Sequence, residues 1–172
     1  MSANSKGKDF ERKIAKLFSK RFKSRTGIDN SFMRNLTGSG AFFGGKNAHR
    51  AKTVSDKDLN TGDIVTPLNF NYTIECKHYK TPPSFGGIVK QKILQWDKWI
   101  DQVMTDSKTS GKKPLLIVKY NLIPEILLVP ETDTSFYSFT PLMWYTTESY
   151  GIWSIFDFNK VLNDSPDEIW FS

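Results

Sequence analysis

The sequence predicts a single α/β domain, and three observations carry that reading. An amphipathic helical stretch opens the chain, two strand-like runs joined by a turn follow it, and a near-continuous apolar run comes after a second helical stretch. With 172 residues the chain is long enough to bury a core without disulfides or a structural metal. The single cysteine, Cys76, excludes an internal disulfide and a cysteine-based zinc site, and points to a reducing compartment. No apolar run approaches a membrane span, and the first residues lack the apolar stretch of a signal peptide, so a cytoplasmic protein is expected.

Residues 1–6 read as a flexible arm. From Lys8 to Phe22 the apolar residues Phe10, Ile14, Leu17, Phe18 and Phe22 recur at helical spacing, which predicts a helix with one face toward a core. Glu11 flanks that stripe on the side of Ala15, Phe18 and Phe22; it either borders a sheet or is an exposed acid favoured by the helix dipole. The outer face carries Arg12, Lys13, Lys16 and Lys20, followed by Lys23 and Arg25, a stripe suited to phosphate contacts. Ser31 to Arg34 is a candidate short strand. Residues 37–46 form a glycine-rich loop, which is not a Walker A motif because Gly45-Lys46 is followed by Asn47. With Lys46, His49, Arg50 and Lys52 it reads either as a basic segment able to close over a nucleic-acid backbone or as a surface insertion.

The most informative stretch is Gly62-Asp63-Ile64-Val65 followed by Tyr72-Thr73-Ile74-Glu75-Cys76-Lys77. Folded back around Asn69 and Phe70, the two runs place Asp63 across from Glu75 to Lys77. Strand side chains alternate, so Thr73, Glu75 and Lys77 face a site while Tyr72, Ile74 and Cys76 face a core. Two carboxylates and a lysine at one sheet edge suit phosphodiester cleavage. Mg²⁺ takes one or two protein carboxylates and keeps several waters, so Asp63 and Glu75 suffice as ligands, with the Cys76 carbonyl as a third. Lys77 can orient or deprotonate a water if burial lowers its pKa, and its charge can stabilise a phosphorane-like transition state. The alternative for this segment alone is a solvated Glu75/Lys77 pair and a turn aspartate.

Beyond the motif, Ile88 to Met104 reads as a second helix and residues 105–113 as a polar connection. Pro114 to Tyr120 reads as an interior strand packed on both faces, with Glu125 to Pro130 as its neighbour. Residues 136–158 are dense in aromatics yet acidic, which favours an added hairpin, core cover or subunit interface over base stacking. Charge is divided unevenly. Residues 1–113 hold 22 Lys/Arg against 10 Asp/Glu, a net +12, whereas residues 114–172 hold 2 against 8, a net −6. The basic part contains the motif, as a nucleic-acid enzyme requires.

The helix with Glu11, the segment from Arg34 to Gly40, Gly62-Asp63 and Glu75-Cys76-Lys77 together resemble the PD-(D/E)xK nuclease superfamily. Within it, the Lys6-Gly7-Lys8-Asp9-Phe10-Glu11 opening, the Arg34 to Gly40 segment and the following acidic pair are most similar to archaeal-type Holliday-junction resolvases and their phage relatives. The resemblance implies a restriction-endonuclease-like α-β-β-β-α-β core with a mixed sheet over residues 7–120, and residues 121–172 as a C-terminal extension of the same domain. It also implies Mg²⁺-dependent cleavage, with Mn²⁺ as substitute, and a homodimer acting on branched or duplex DNA. Carried over by position, Glu11, Asp63 and Glu75 bind metal, Lys77 acts on the water, and Arg34 and Ser39 approach the scissile phosphate. Gly62 stands where the superfamily name expects proline, and the 22 residues between Gly40 and Asp63 are a longer connection than a compact resolvase needs. A restriction, nicking or repair endonuclease, or a DNA-binding relative without turnover, are the alternatives.

Overall fold

The apolar stripe of the first helix and the apolar faces of the strands meet in one layered arrangement, in a computed structural model that describes residues 3–36 and 61–172. The order along the chain is helix α1 (Ala3–Arg21), helix α2 (Lys23–Thr26), strand β1 (Met33–Arg34), strand β2 (Ile64–Val65) and strand β3 (Tyr72–Tyr79). Helices α3 (Phe85–Val89) and α4 (Leu94–Ser110), strands β4 (Lys113–Tyr120), β5 (Ile126–Pro130), β6 (Met143–Thr147) and β7 (Gly151–Asp157), and helices α5 (Phe158–Asp164) and α6 (Asp167–Trp170) complete it. The strands form a seven-stranded sheet in the order β1-β2-β3-β4-β5-β7-β6. Among the described strands only β3 and β4 run parallel, in register Glu75 with Leu116 and Lys77 with Val118; the other pairs are antiparallel. The expected α-β-β-β-α-β core is therefore present, with the second helical element in two pieces.

Each face of the sheet has its own core. Phe10, Ile14, Phe18 and Phe22 of α1 pack against Tyr72, Ile74, Cys76, Leu115 and Ile117. On the other face, Trp96, Trp99, Ile100 and Val103 of α4 pack against Leu116, Val118 and Tyr120. Burial of each large apolar side chain contributes about 1.5–3 kcal/mol, so strand β4, apolar on both faces, anchors the domain. The aromatic C-terminal segment is a β6–β7 hairpin that extends the sheet, and Phe136, Tyr145, Trp153, Phe156 and Phe158 are buried in the two cores.

Three boundaries differ from the sequence expectation. Helix α1 begins at Ala3 rather than Lys8 and absorbs most of the segment expected as an arm. The helix expected from Ile88 is broken after α3. In an unbroken helix the Ile93 N–H would bond to the Val89 carbonyl; here it donates to the Tyr145 hydroxyl at 2.9 Å, and Gln91 turns into the left-handed region at φ 50°. At its other end α4 runs on to Ser110 through the expected polar connection, stopping where Gly111 adopts φ 76° and its N–H caps the Ser107 carbonyl. Among the described residues no helix is long and apolar enough to cross a membrane.

Candidate active site

Strand β2 is only two residues long, so the edge of β3 beyond it is open to a side chain rather than to more backbone. Asp63 takes that place. Its N–H donates to the Ile74 carbonyl at 2.8 Å, and its Oδ2 accepts the Cys76 N–H at 2.8 Å. The N–H and C=O of one strand residue project to the same side, so the Cys76 carbonyl projects toward this edge as well. Glu75 and Lys77 emerge from the α4 face of β3, and the Lys77 ammonium forms an ion pair with Glu75 Oε1.

Gly62 explains its own departure from proline. It adopts φ 66°, which proline's fixed negative φ forbids, and a Cβ there would lie 2.7 Å from the Ile74 carbonyl oxygen. Its peptide is held on both sides. Asp106 Oδ2 accepts the Gly62 N–H at 3.0 Å, Asn35 Nδ2 donates to the Gly62 carbonyl at 3.0 Å, and the Asn35 N–H donates to the Asp63 carbonyl at 2.7 Å.

Helix α4 supports the site through a polar ridge that apolar periodicity alone does not reveal. Gln102, Asp106 and Ser110 are spaced four residues apart and so share one helix face. Gln102 Oε1 accepts from Lys77 Nζ at 2.9 Å, Asp106 holds Gly62, and Ser110 Oγ shares a 2.5 Å hydrogen bond with Thr73 Oγ1. The signal in the sequence is the i, i+4, i+8 spacing of polar residues bordering the apolar stripe of Trp96, Trp99, Ile100 and Val103. None of the three is among the site residues expected from the sequence.

Glu75 is 1% exposed, and neither carboxylate oxygen has a directed hydrogen bond. Burial first, and the Asp63 carboxylate second, push its pKa up to about 8, against the lowering effect of Lys77. Glu11 sits on α1, where Arg34 Nε donates to its Oε2 at 2.5 Å. Its pKa is raised, by burial and then by Asp63, with Arg34 and Lys77 opposing. Glu11 is thus within electrostatic reach of the pair but is engaged by Arg34. Among the described residues no three His, Cys, Asp or Glu side chains gather into a ready metal cage. What is present is two adjacent carboxylates, one buried without a directed partner, and a backbone carbonyl aimed at the same edge, a set of hard oxygen donors suited to a cation such as Mg²⁺.

The expectation of a lowered Lys77 pKa is corrected. Burial lowers it, but the Glu75 carboxylate, with a smaller contribution from Asp63, outweighs burial and raises it. Lys77 is held as a cation. On the outer face of α1, Lys16 and Lys20 are exposed and Arg12 pairs with Asp9 at 2.7 Å. Ser39, Lys46, Arg50 and Lys52, with the rest of the glycine-rich segment, lie outside the described residues.

A mixed sheet with an aspartate at the end of a short strand and a Glu-x-Lys on its neighbour, flanked by a helix on each face, defines the PD-(D/E)xK nuclease class. Residues 2–155 match the model of the family described as "Phage putative PDDEXK endonuclease", and the chain belongs to that family. No curated protein and no solved structure matches it.

Proposed function

We propose that the protein is a metal-dependent, structure-selective DNA endonuclease that resolves four-way junctions as a homodimer in the cytoplasm of the host cell. The observation that carries the catalytic part is the convergence of Asp63, buried Glu75 and Lys77 on one open strand edge. Asp63, Glu75 and the Cys76 carbonyl would hold Mg²⁺ or Mn²⁺, with Glu11 completing the set on release from Arg34. The ion, when bound, would polarise the phosphate and acidify a water. Lys77, kept cationic by Glu75 and oriented by Gln102, would place its ammonium against charge developing on the phosphate oxygens. Arg34, released from Glu11, would face the incoming backbone. The net +12 of residues 1–113 supports an anionic substrate, and Arg12, Lys16 and Lys20 would contact the phosphates.

Cleavage of matched labelled substrates tests the reading: a four-way junction, a flap, a linear duplex and a single strand, each with Mg²⁺ and with EDTA. Paired, Mg²⁺-dependent nicks confined to the junction are the expected result. Cutting of every substrate would leave an endonuclease without junction selectivity, and binding without cutting in any metal would overturn the catalytic assignment.

A further inference from the structure

Helix α3 turns Ile88 onto the core on the α4 side of the sheet and leaves its other large side chains without a packing task. None of its residues is buried, yet Phe85 is 80% exposed and Val89 64%, and Leu94 at the start of α4 is 67% exposed. Three large apolar side chains in water on adjoining turns have a hydrophobic cost unless something covers them. The helix is also placed firmly: Ser84 caps it by accepting the Gly87 N–H at 3.1 Å, and Thr81-Pro82-Pro83 forms a stiff approach from β3.

The charge around these residues states what kind of surface would cover them. From Lys77 to Trp96 the chain carries Lys77, Lys80, Lys90 and Lys92 and no acid. Asp97 and Asp101, which line the adjoining hollow with Lys90, Lys92 and Glu148, already accept from the Tyr145 and Tyr150 hydroxyls at 2.8 and 2.6 Å. An exposed apolar tip in a stretch whose only charges are lysines fits an anionic partner that also has flat apolar faces, which describes a nucleic acid with an unpaired base.

The position fits too. Contacts step along α4 from Ser110 at Thr73, through Asp106 at Gly62 and Gln102 at Lys77, to Trp99, whose ring meets that of Tyr79 at a tilt with centroids 5.0 Å apart. Leu94 lies eight residues before Gln102, about 12 Å further along the helix axis. The apolar tip is therefore a few base steps from the cleaving edge.

We propose that α3 is a base-contacting finger: Phe85, backed by Val89 and Leu94, stacks on a base left unpaired at a branch or in a single strand, while Lys80, Lys90 and Lys92 hold the adjoining phosphates. This rests on the endonuclease reading and deepens it by locating structure selectivity in a segment that the metal ligands do not include.

The test is binding in EDTA to a four-way junction with 2-aminopurine at the branch, a single strand and a linear duplex, for the wild type, Phe85→Ala and Phe85→Trp. Phe85 buries nothing, so both variants are expected to fold. Phe85→Ala is expected to weaken junction and single-strand binding about tenfold and to abolish the 2-aminopurine fluorescence change. Duplex affinity is expected to stay the same, and Phe85→Trp to retain the response. Equal losses on all three substrates, or none, would overturn the finger while leaving the endonuclease reading intact. So would a fall in oligomeric mass in Phe85→Ala, since the patch would then be covered by a second copy. Absence of wild-type binding to any of these DNAs would overturn both.

Discussion

Asp63 Oδ2 accepts the Cys76 backbone N–H at 2.8 Å, so the carboxylate substitutes for a strand that ends too early. A ladder bond and a candidate metal ligand are thus the same side chain. Asp63→Asn keeps an acceptor for the Cys76 N–H and removes the charge. Cleavage is expected to fall about a hundredfold to a thousandfold, with junction affinity unchanged or increased because phosphate meets one less negative charge. Glu75→Gln is expected to behave alike. Gel-shift and single-turnover assays on the same preparations separate the two effects, and retained turnover in both variants would remove these residues from the mechanism.

The metal-free protein is expected to be stabilised by losing Glu75. The folded pKa of about 8 lies above the ordinary 4.5. Below pH 4.5 the carboxyl is protonated in the folded and unfolded chains and nothing is lost. Between 4.5 and 8 the unfolded chain gives up a proton that the folded chain retains, so stability declines as pH rises. Glu75→Gln escapes that decline. In EDTA at pH 7.5 its gain is expected to be of the order of 2 kcal/mol, about 6 °C in Tm, smaller than the shift alone implies because Lys77 loses its ion-pair partner. At pH 4 the difference is expected to vanish. Thermal melts at both pH values check this, and a lower Tm for the variant at pH 7.5 would contradict it.

Restoring the proline that the superfamily name leads one to expect is predicted to be harmful here. At φ 66°, with the Ile74 carbonyl 2.7 Å from where a Cβ would sit, Gly62→Ala is expected to cost about 1–3 kcal/mol, and Gly62→Pro more. The proline variant would also lose the N–H bonded to Asp106. Melting temperature and cleavage are expected to fall together, because the turn that strains is the one presenting Asp63.

Gln102 supplies the acceptor that, with Glu75, fixes Lys77. Gln102→Ala is expected to lower kcat about tenfold with KM for DNA nearly unchanged, since Lys77 keeps its charge and loses its orientation. Gln102→Glu retains an acceptor and is expected to preserve more activity than alanine. A rise in KM at constant kcat would instead make Gln102 a substrate contact.

Much of this was legible because it depends on short-range patterns. Alternation from Tyr72 to Lys77 gave Tyr72, Ile74 and Cys76 as the residues facing the core under α1, and the apolar spacing from Phe10 to Phe22 gave the face of α1 that is buried. What was not legible depends on partners distant in the chain. The break before α4 follows from Tyr145, 52 residues beyond Ile93. The upward shift of Lys77 follows from carboxylates on β3 and on the turn before β2 outweighing burial. The ridge of Gln102, Asp106 and Ser110 was hidden because it borders the stronger apolar pattern of Trp96, Trp99, Ile100 and Val103 on the same side of the helix.

The outer face of α1 gives the last prediction. Lys16 and Lys20 are exposed on the side of the helix away from the core, beside Arg12 and Lys13. If they neutralise phosphates, each contributes about 0.9 to the slope of log affinity against log salt. Lys16→Ala with Lys20→Ala is expected to flatten that slope by nearly two and to weaken binding equally on junction, duplex and single strand, because a phosphate contact carries no information about bases or branches. Both lysines lie outside the site, so cleavage at saturating DNA is expected to be unchanged. Titrations across a salt series decide it: an unaltered slope would place the nucleic-acid face elsewhere, whereas a loss confined to the junction would show that α1 reads branch geometry rather than charge.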